Sequence, residues 1–515
     1  CRCVGAFSMN QLYNSENKIA AELSTSLVKN IEVLEELFRD CDDVVKKEFL
    51  FRRKDGAVSG YMIYIDGLTD GDMVQQHVIH PLQLRYRMAV ETDIWSAFFY
   101  SEIDMADLRE EPSFDKMVLA VMRGDTALML DGYDRAIVIS SKKLPVRSIE
   151  ESETEAVMRG PRDSFNESLR MGTALIRRRI KDPKCKIVQH QFGERSRTDY
   201  AVVYMEDLVP DGLVDQIEEQ LGQYRTDAIY DSGMLAHYMN RKWYSPFPVI
   251  QSTERPDKVA ASILEGRVAV IVDNSPEVLL LPATFNTYFQ ASDDYYNQWS
   301  VATFARILRY IASILAIGLP GFYIAITCFQ VEMLPTKLLM AIAQARSNVT
   351  FPIVLEVLLM ELEFELLREA GIRLPGPMGN TIGIVGGLIV GQAAVEAGLV
   401  STIVVIIVAL TALASFTIPN ESFASAYRLL KFFLIIVSAI WGLYGFILGI
   451  VVIGIHLSGL TSYGIPYMTP AVSMPDGRKE SCKDFILRLP IYLMRKRPVF
   501  TKEKERTRMQ SRKKS

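Results

Sequence analysis

The 515-residue chain is poor in several things, and each shortage closes off a class of function. It has only six cysteines, Cys1, Cys3, Cys41, Cys185, Cys328 and Cys482, with no framework spacing. Dense disulfide stapling is therefore excluded, and a reducing cytoplasm is expected around the polar part of the chain. It has five histidines; His77 and His80 stand three apart but without a Cys or a further ligand beside them, so no metal site is expected. No glycine-rich loop ends in Gly-Lys-Ser/Thr, and neither a Gly-x-Ser-x-Gly elbow nor a His-Glu-x-x-His helix occurs. The usual phosphate cradle, hydrolase nucleophile and metalloprotease site are thus missing, and neither a catalytic set nor a cofactor is expected. No basic n-region, apolar core and small-residue cleavage site opens the chain. It does not start with Met, and Met9 is a candidate start.

What is present is segregated. Residues 1–306 read as an acidic α/β region and 310–475 as mostly apolar. Arg478–Ser515 carries 14 Lys/Arg against 4 Asp/Glu, a net of +10; the whole chain is −4, so the rest carries −14. A basic nucleic-acid-binding fold is excluded by this distribution, and so is a purely soluble protein. The expected architecture is an α+β membrane protein: cytoplasmic α/β subdomains at 1–155 and 156–300, an all-α membrane domain of about four spans at 301–475, and a basic cytoplasmic tail at 476–515.

Four uncharged apolar stretches can cross ~30 Å of hydrocarbon, which takes about 20 residues: Tyr310–Val331, Leu374–Val395, Ala397–Pro419 and Phe432–His456. Glu396 separates the second from the third, either at a tight hairpin tip or as a carboxylate inside the membrane. The Lys/Arg-rich tail should stay cytoplasmic, and an even span count puts the head on the same side. Arg428 and Lys431, just before the fourth stretch, fit that topology less well.

Between the first two stretches, Phe351–Gly371 reads as a helix with Glu361, Glu365, Arg368 and Glu369 on one face. Either that face is solvated on an interfacial helix, or its carboxylates ring a cation path in an oligomer. In the second span Gly383, Gly387 and Gly391 recur four apart, as Gly445 and Gly449 do in the fourth, which lets helix backbones approach closely in lipid. Val385, Ile389 and Gln392 lie on other faces of the second span and are the pore or gate candidates, with Glu361 and Glu365 at an entrance.

In the head, a helix over Ser15–Arg39 is expected, then strands at Phe49–Arg53 and Tyr61–Ile65 around the turn Lys54-Asp55-Gly56. Helices near Asp70–Leu84 and Phe114–Arg123 precede strands Ala127–Leu130 and Ala136–Ile139 around Asp131-Gly132. The second block opens with a helix at Ser164–Arg179 whose capping box is Ser164/Glu167. Strands Lys186–Phe192, Ala201–Met205, Arg267–Val272 and Val278–Leu281 follow, with helices near Leu213–Tyr224 and Lys258–Leu264. No internal repeat is visible. The run Arg177-Arg178-Arg179 reads as a solvated helix end or, alternatively, a phosphate or lipid-headgroup contact. Asp293 and Asp294 read as a cap on the segment entering the membrane.

Several long strings resemble the A subunit of the GerA-type spore germinant receptors of endospore-forming bacteria. They include RGPRDSFNESL, ALIRRRIKDP, SPFPVIQSTERPDKVAASILEGRVAVIVDNSPEVLLLPATF, LPGFYIAITCFQVEMLPT, FPIVLEVLLMELEFELLREAGIRLP, GIVGGLIVGQAAVEAGLVS and GLYGFILGIVVIGIHLSGLTSYGIPYMTP. Two places depart from the family pattern: Arg170-Met171-Gly172 stands where Arg-Thr-Asn is usual, and Arg346–Pro352 lacks the family's Glu-Gly and first Pro. The resemblance implies a nutrient-sensor subunit of the spore inner membrane that works with a transporter-like B subunit and a lipoprotein C subunit. It also implies membrane lipids as surroundings, a homo-oligomeric ring, a pentamer, and cation conduction on activation. A non-conducting scaffold is the alternative.

Overall fold

The computed structural model describes residues 13, 18–53, 56–85, 94–99, 103, 105, 107–143, 155, 157, 159–240, 242–373, 391–474, 484–502 and 506–508. The chain forms two compact units, one of residues 1–241, 250–282 and 496–515, the other of 242–249 and 283–495.

The first unit holds two five-stranded antiparallel sheets. In the first module, helix α1 (Leu27–Leu37) leads into the hairpin β1 (Val44–Arg53) and β2 (Gly56–Ile65), then a helical run over 71–85. Strand β3 (Leu108–Glu111), helix α2 (Phe114–Val121) and the hairpin β4 (Thr126–Leu130) and β5 (Ala136–Ile139) complete it. The second module repeats the order. It has α3 (Leu169–Arg179), β6 (Cys185–Phe192), β7 (Thr198–Met205), α4 (Leu213–Gly222), α5 (Ser232–Met239), β8 (Gln251–Thr253), α6 (Pro256–Ile263), β9 (Val268–Val272) and β10 (Val278–Leu281). The sheet orders, β1-β2-β4-β5-β3 and β6-β7-β9-β10-β8, are the same order. Each sheet packs one face under its first helix and the helix before its central hairpin, through Leu34, Ile63 and Val118 in the first module and Ile176, Val203 and Ile263 in the second, and the central strands are buried on the other face as well.

The likeness reaches single hydrogen bonds. Asp131 Oδ1 accepts from the Leu27 amide at 3.0 Å, and Asp273 Oδ1 from the Leu169 amide at 3.0 Å, so each hairpin turn holds the start of its module's first helix. Gly124 (φ 95°) and Gly266 (φ 89°) open the same strand. A Cβ on either would meet the Leu68 or Leu208 carbonyl at 2.9 or 2.7 Å. This is a structural duplication that is not visible as a repeat in the sequence. The turn strands 123–139 and 265–281 align without a gap but share only Gly124/Gly266, Ala127/Ala269 and Asp131/Asp273. A two-residue difference in the first hairpin hides the rest.

The chain closes each module differently. The Lys143 amide donates to Leu68 O at 2.8 Å in the first, and the Lys502 amide to Leu208 O at 3.2 Å in the second. Residues 496–502 of the basic tail therefore complete the second module, with Val499 and Phe500 buried and Thr501 Oγ1 donating to Glu265 O at 2.7 Å.

Three expectations for the head are corrected. Among the described residues of the proposed Ser15–Arg39 helix only Leu27–Leu37 are helical, although Ile19 and Leu23 are buried as the stripe required. Ser168, not Ser164, caps α3, accepting from the Met171 amide, while the Ser164 hydroxyl donates to Glu254 O. Arg177 is neither solvated nor a ligand site. It is fully buried and donates to both oxygens of buried Asp43, at 2.6 and 2.8 Å, tying the second module to the first. Beside it, Asp42 N donates to Ile187 O at 2.9 Å, and Lys186 Nζ donates to the Leu37 and Arg39 carbonyls at the end of α1.

The second unit is a helical bundle of α7 (Trp299–Cys328), α8 (Thr336–Ala345), α9 (Ile353–Arg373), α10 (Thr402–Phe416) and α11 (Glu421–Gly459). Helices α7 and α11 are long and apolar enough to cross a membrane. The fourth apolar stretch, expected as one straight span, is instead a hairpin. Gly442 adopts φ 61°, ψ −140°, and the two arms of α11 fold back on each other. A Cβ on Gly449 would lie 2.6 Å from Leu434 Cδ2, fifteen residues back along the chain. Only glycine accepts both that φ and the Phe329 ring 2.6 Å from where its Cβ would stand. Gly445 and Gly449 thus pack one arm against the other. At the start of α7, buried Arg306 pairs with Asp294 at 3.3 Å and with Asp484 at 2.9 Å, so Asp294 serves as a counter-ion.

Candidate functional site: a seam of paired charges

Helix α9 forms because Ile353, Val357 and Met360 recur at helical spacing and pack on Tyr323, Val404 and Ile435. That packing carries its acidic residues into the bundle. Glu356 is fully buried; Arg346 donates to its Oε1 at 3.1 Å and the Ser401 amide to its Oε2 at 2.9 Å. Glu361 is also buried, and Lys431 from the first arm of α11 sits 2.5 Å from its Oε2 and 3.3 Å from Glu365 Oε1. Further along, Arg368 pairs with Glu421 at 2.7 Å, and Arg428 with Glu421 at 3.2 Å. The seam therefore runs along α9 from Glu356 to Arg368, with Arg346, Lys431 and Arg428 supplied by neighbouring segments.

Glu361 on a merely solvated face is thus corrected. It faces Lys431 inside the bundle, and only Glu369, paired with Arg373 at 2.7 Å, keeps an exposed position. Burying a carboxylate and an ammonium costs several kcal/mol each, so such pairs persist only where both partners are held in place. Several polar atoms are left over, among them Ser401 Oγ and Tyr323 Oη. Glu361 Oε1 is buried and has no hydrogen-bond partner.

The other expected site residues divide in two. Gly383, Val385, Gly387 and Ile389 lie outside the described residues. Gly391 is buried, and its Cβ position is 3.6 Å from Val405 Cγ1, an ordinary packing contact. Gln392 and Glu396 are exposed and bonded to each other, Gln392 Nε2 donating to Glu396 Oε1 at 3.0 Å. Gly398 makes the turn after Glu396 with φ 67°, and its carbonyl accepts from the Thr350 amide at 3.2 Å, so Glu396 stands at a tight turn.

Sequence reasoning missed Lys431, Arg346 and Glu356 as members of one network. Its signal was present: Arg428 and Lys431 fit a four-span topology poorly because they face α9.

The sequence profile described as the Bacillus/Clostridium GerA spore germination protein matches residues 32–500. The chain is 38% identical over 486 residues to spore germination protein KA of Bacillus subtilis (strain 168), covering 94% of this chain and 88% of that one. It is 38% identical to spore germination protein GerLA of Bacillus cereus, covering 87% and 90%. It is 37% identical to the uncharacterized membrane protein YfkQ of Bacillus subtilis (strain 168), covering 92% and 91%. Among solved structures, the N-terminal domain of the A subunit of the Bacillus megaterium spore germinant receptor GerK3 aligns with TM-score 0.41 and 24% identity, over 52% of this chain and 98% of that one.

Proposed function

Because this chain belongs to the GerA spore germination family, we propose that it is the A subunit of a nutrient receptor of the spore inner membrane and triggers germination as one subunit of an oligomeric, ligand-gated cation channel. Head and tail are cytoplasmic in this reading. The transporter-like B subunit binds the nutrient, the lipoprotein C subunit completes the receptor, and five copies of this chain form the ring. In this reading α11 crosses twice and α9 also crosses, which raises the expected four spans to six and keeps the count even.

The observation that carries conduction is the unpaired Glu361 Oε1 beside Glu365 in the bundle interior. A cation passing a ring of such carboxylates would find that acceptor open. Lys431 then neutralises the site at rest, and its withdrawal opens it. The B subunit need only bind its nutrient better in the open state, a coupling of about 1–3 kcal/mol.

The scaffold reading draws on the same pairing, since neutralised carboxylates attract few cations. Potassium efflux from liposomes holding this chain with its cognate partners separates the two. Val385→Ser, Ile389→Ser and Lys431→Gln are compared with the parent chain at equal assembly. Efflux without nutrient is expected in at least one variant. If assembly alone changes, or if the complex never conducts under activating conditions, the scaffold stands.

A further inference from the structure

A short piece of the sheet-rich half of the sequence, 242–249, belongs to the helical unit. It is fastened to the end of the second arm of α11. Ser245 Oγ is 2.9 Å from His456 Nε2, Phe247 stacks on His456 with ring centres 6.2 Å apart, and Lys242 Nζ donates to Thr461 Oγ1 at 3.0 Å. Phe247 also packs against Phe423 and Tyr427 of the first arm, so the loop is seated across both arms. Yet its two largest residues face outward: Trp243 is 88% exposed and Tyr244 60%. At the opposite end of the hairpin, Trp441 and Tyr444 flank the Gly442 turn and are 55% and 72% exposed.

We propose that these two aromatic pairs are anchors at the two headgroup interfaces of a bilayer, with Trp243 and Tyr244 on one side and Trp441 and Tyr444 on the other; this rests on the membrane-spanning reading above. The occupant of the exposed rings is the lipid interface, for two reasons on the hairpin itself. Between the pairs, the outer side of the second arm is continuously aliphatic and exposed, through Ile447, Ile450, Val451 and Ile455, and His456 follows at once with the Tyr244 ring 6.1 Å away. The helix from Gly442 to His456 rises about 21 Å at 1.5 Å per residue. With the loop beyond one end and the turn beyond the other, that approaches the ~30 Å hydrocarbon thickness. Indole and phenol rings, apolar in body and polar at the tip, concentrate at that boundary. Lys242 beside Trp243 adds a cation at headgroup level.

The chain has four tryptophans, Trp95, Trp243, Trp299 and Trp441, so single-Trp chains made with Trp→Phe replacements can be reconstituted into phosphatidylcholine vesicles. Lipids brominated close to the headgroups are expected to remove about half of the Trp243 emission and of the Trp441 emission, and lipids brominated at the chain ends less of either. Buried Trp95, in the first unit, serves as the unquenched reference and as the check on folding. If the replacements disturb the fold, Trp243→Cys or Trp441→Cys in a chain whose six native cysteines are replaced by Ser or Ala, carrying an environment-sensitive label, gives the same reading. Quenching of Trp441 without Trp243 overturns the anchor while leaving the spanning hairpin. No quenching of either, in a chain the vesicles do not retain, overturns the membrane reading itself.

Discussion

The two modules of the first unit have the same strand order, the same turn aspartate and the same left-handed glycine, yet they use their first helices in opposite ways. In α1 and α3 the residues three before the C-cap are Glu35 and Arg177. Glu35 is exposed; Arg177 is fully buried on Asp43. One turn earlier, Glu32 is exposed, whereas Ala174 is buried and stands 3.2 Å from the Cβ position of Gly67 in the first module. The fold is thus specified by turns and caps that both copies keep. The contact between modules is made by the α3 face and by β6 against the end of α1, at positions where the two copies differ. Gly172 belongs to α3. Its Cβ position is 3.1 Å from Ile271 Cγ2, so the asparagine usual in the family at this place would have to displace that side chain.

Breaking the asymmetry should have the largest effect. Arg177→Ala leaves Asp43 as a buried, unpaired charge, and about 3–5 kcal/mol of stability is expected to be lost. Glu35→Ala, at the matching place, should stay within about 0.5 kcal/mol. Thermal unfolding in detergent of the full-length chain with Trp95 as its single tryptophan, followed by that residue's emission, measures both. Equal losses would mean that the junction is not held by this pair. Replacing both partners, Arg177→Met with Asp43→Leu, should recover most of the loss, because a packed apolar pair carries no desolvation cost.

The symmetry can be tested next. Gly124→Ala and Gly266→Ala each put a side chain at positive φ and against a carbonyl, and each should cost roughly 1–3 kcal/mol. Gly132→Ala has a similar φ of 92° but open space around the new methyl, and should cost only the backbone part, about 1 kcal/mol. If Gly124 and Gly266 differ by more than either differs from Gly132, the two turns are not equivalent.

Much of this was readable from the chain alone. Short continuous apolar runs marked both central hairpins, β4–β5 and β9–β10, because their strands are buried on both faces and bounded by Asp131-Gly132 and Asp273-Asn274. The edge strands β3 and β8 escaped, since LREE and QST have neither length nor alternation and are fixed by pairing with β5 and β10. The hairpin of α11 escaped for the opposite reason. Phe432–His456 is apolar throughout, and nothing in hydropathy distinguishes a straight span from one folded at Gly442. At the seam, Glu361 and Glu365 were placed on one face correctly, but their partner Lys431 is 66–70 residues away, and periodicity carries no information over that distance.

The finest difference between the modules lies where each is closed. Lys143 reaches Asp70 at 3.2 Å, and Lys502 reaches Asp211 at 3.0 Å, two ion pairs in the same place. Only Asp70 also caps a helix, accepting from the Met73 amide at 3.3 Å; in the second module Gly212 takes the cap position and has no side chain to offer. Burial pushes the Asp70 carboxyl up slightly, but the hydrogen bonds from Lys143 and the Met73 amide, with the Lys143 charge, outweigh it and hold the group below its usual range. A carboxyl depressed in the folded state contributes stability above its unfolded value of about 3.9, and the contribution is lost as pH falls through the folded-state value. Asp70→Asn should therefore lower the melting temperature slightly at neutral pH and have no effect in strong acid. Amide exchange at Met73 reports the same change locally, speeding up as Asp70 protonates, while the amides at the start of α4, under the glycine cap, should show no such step. A matching step in α4 would mean that the closing ion pair, rather than the Asp70 cap, is what titrates.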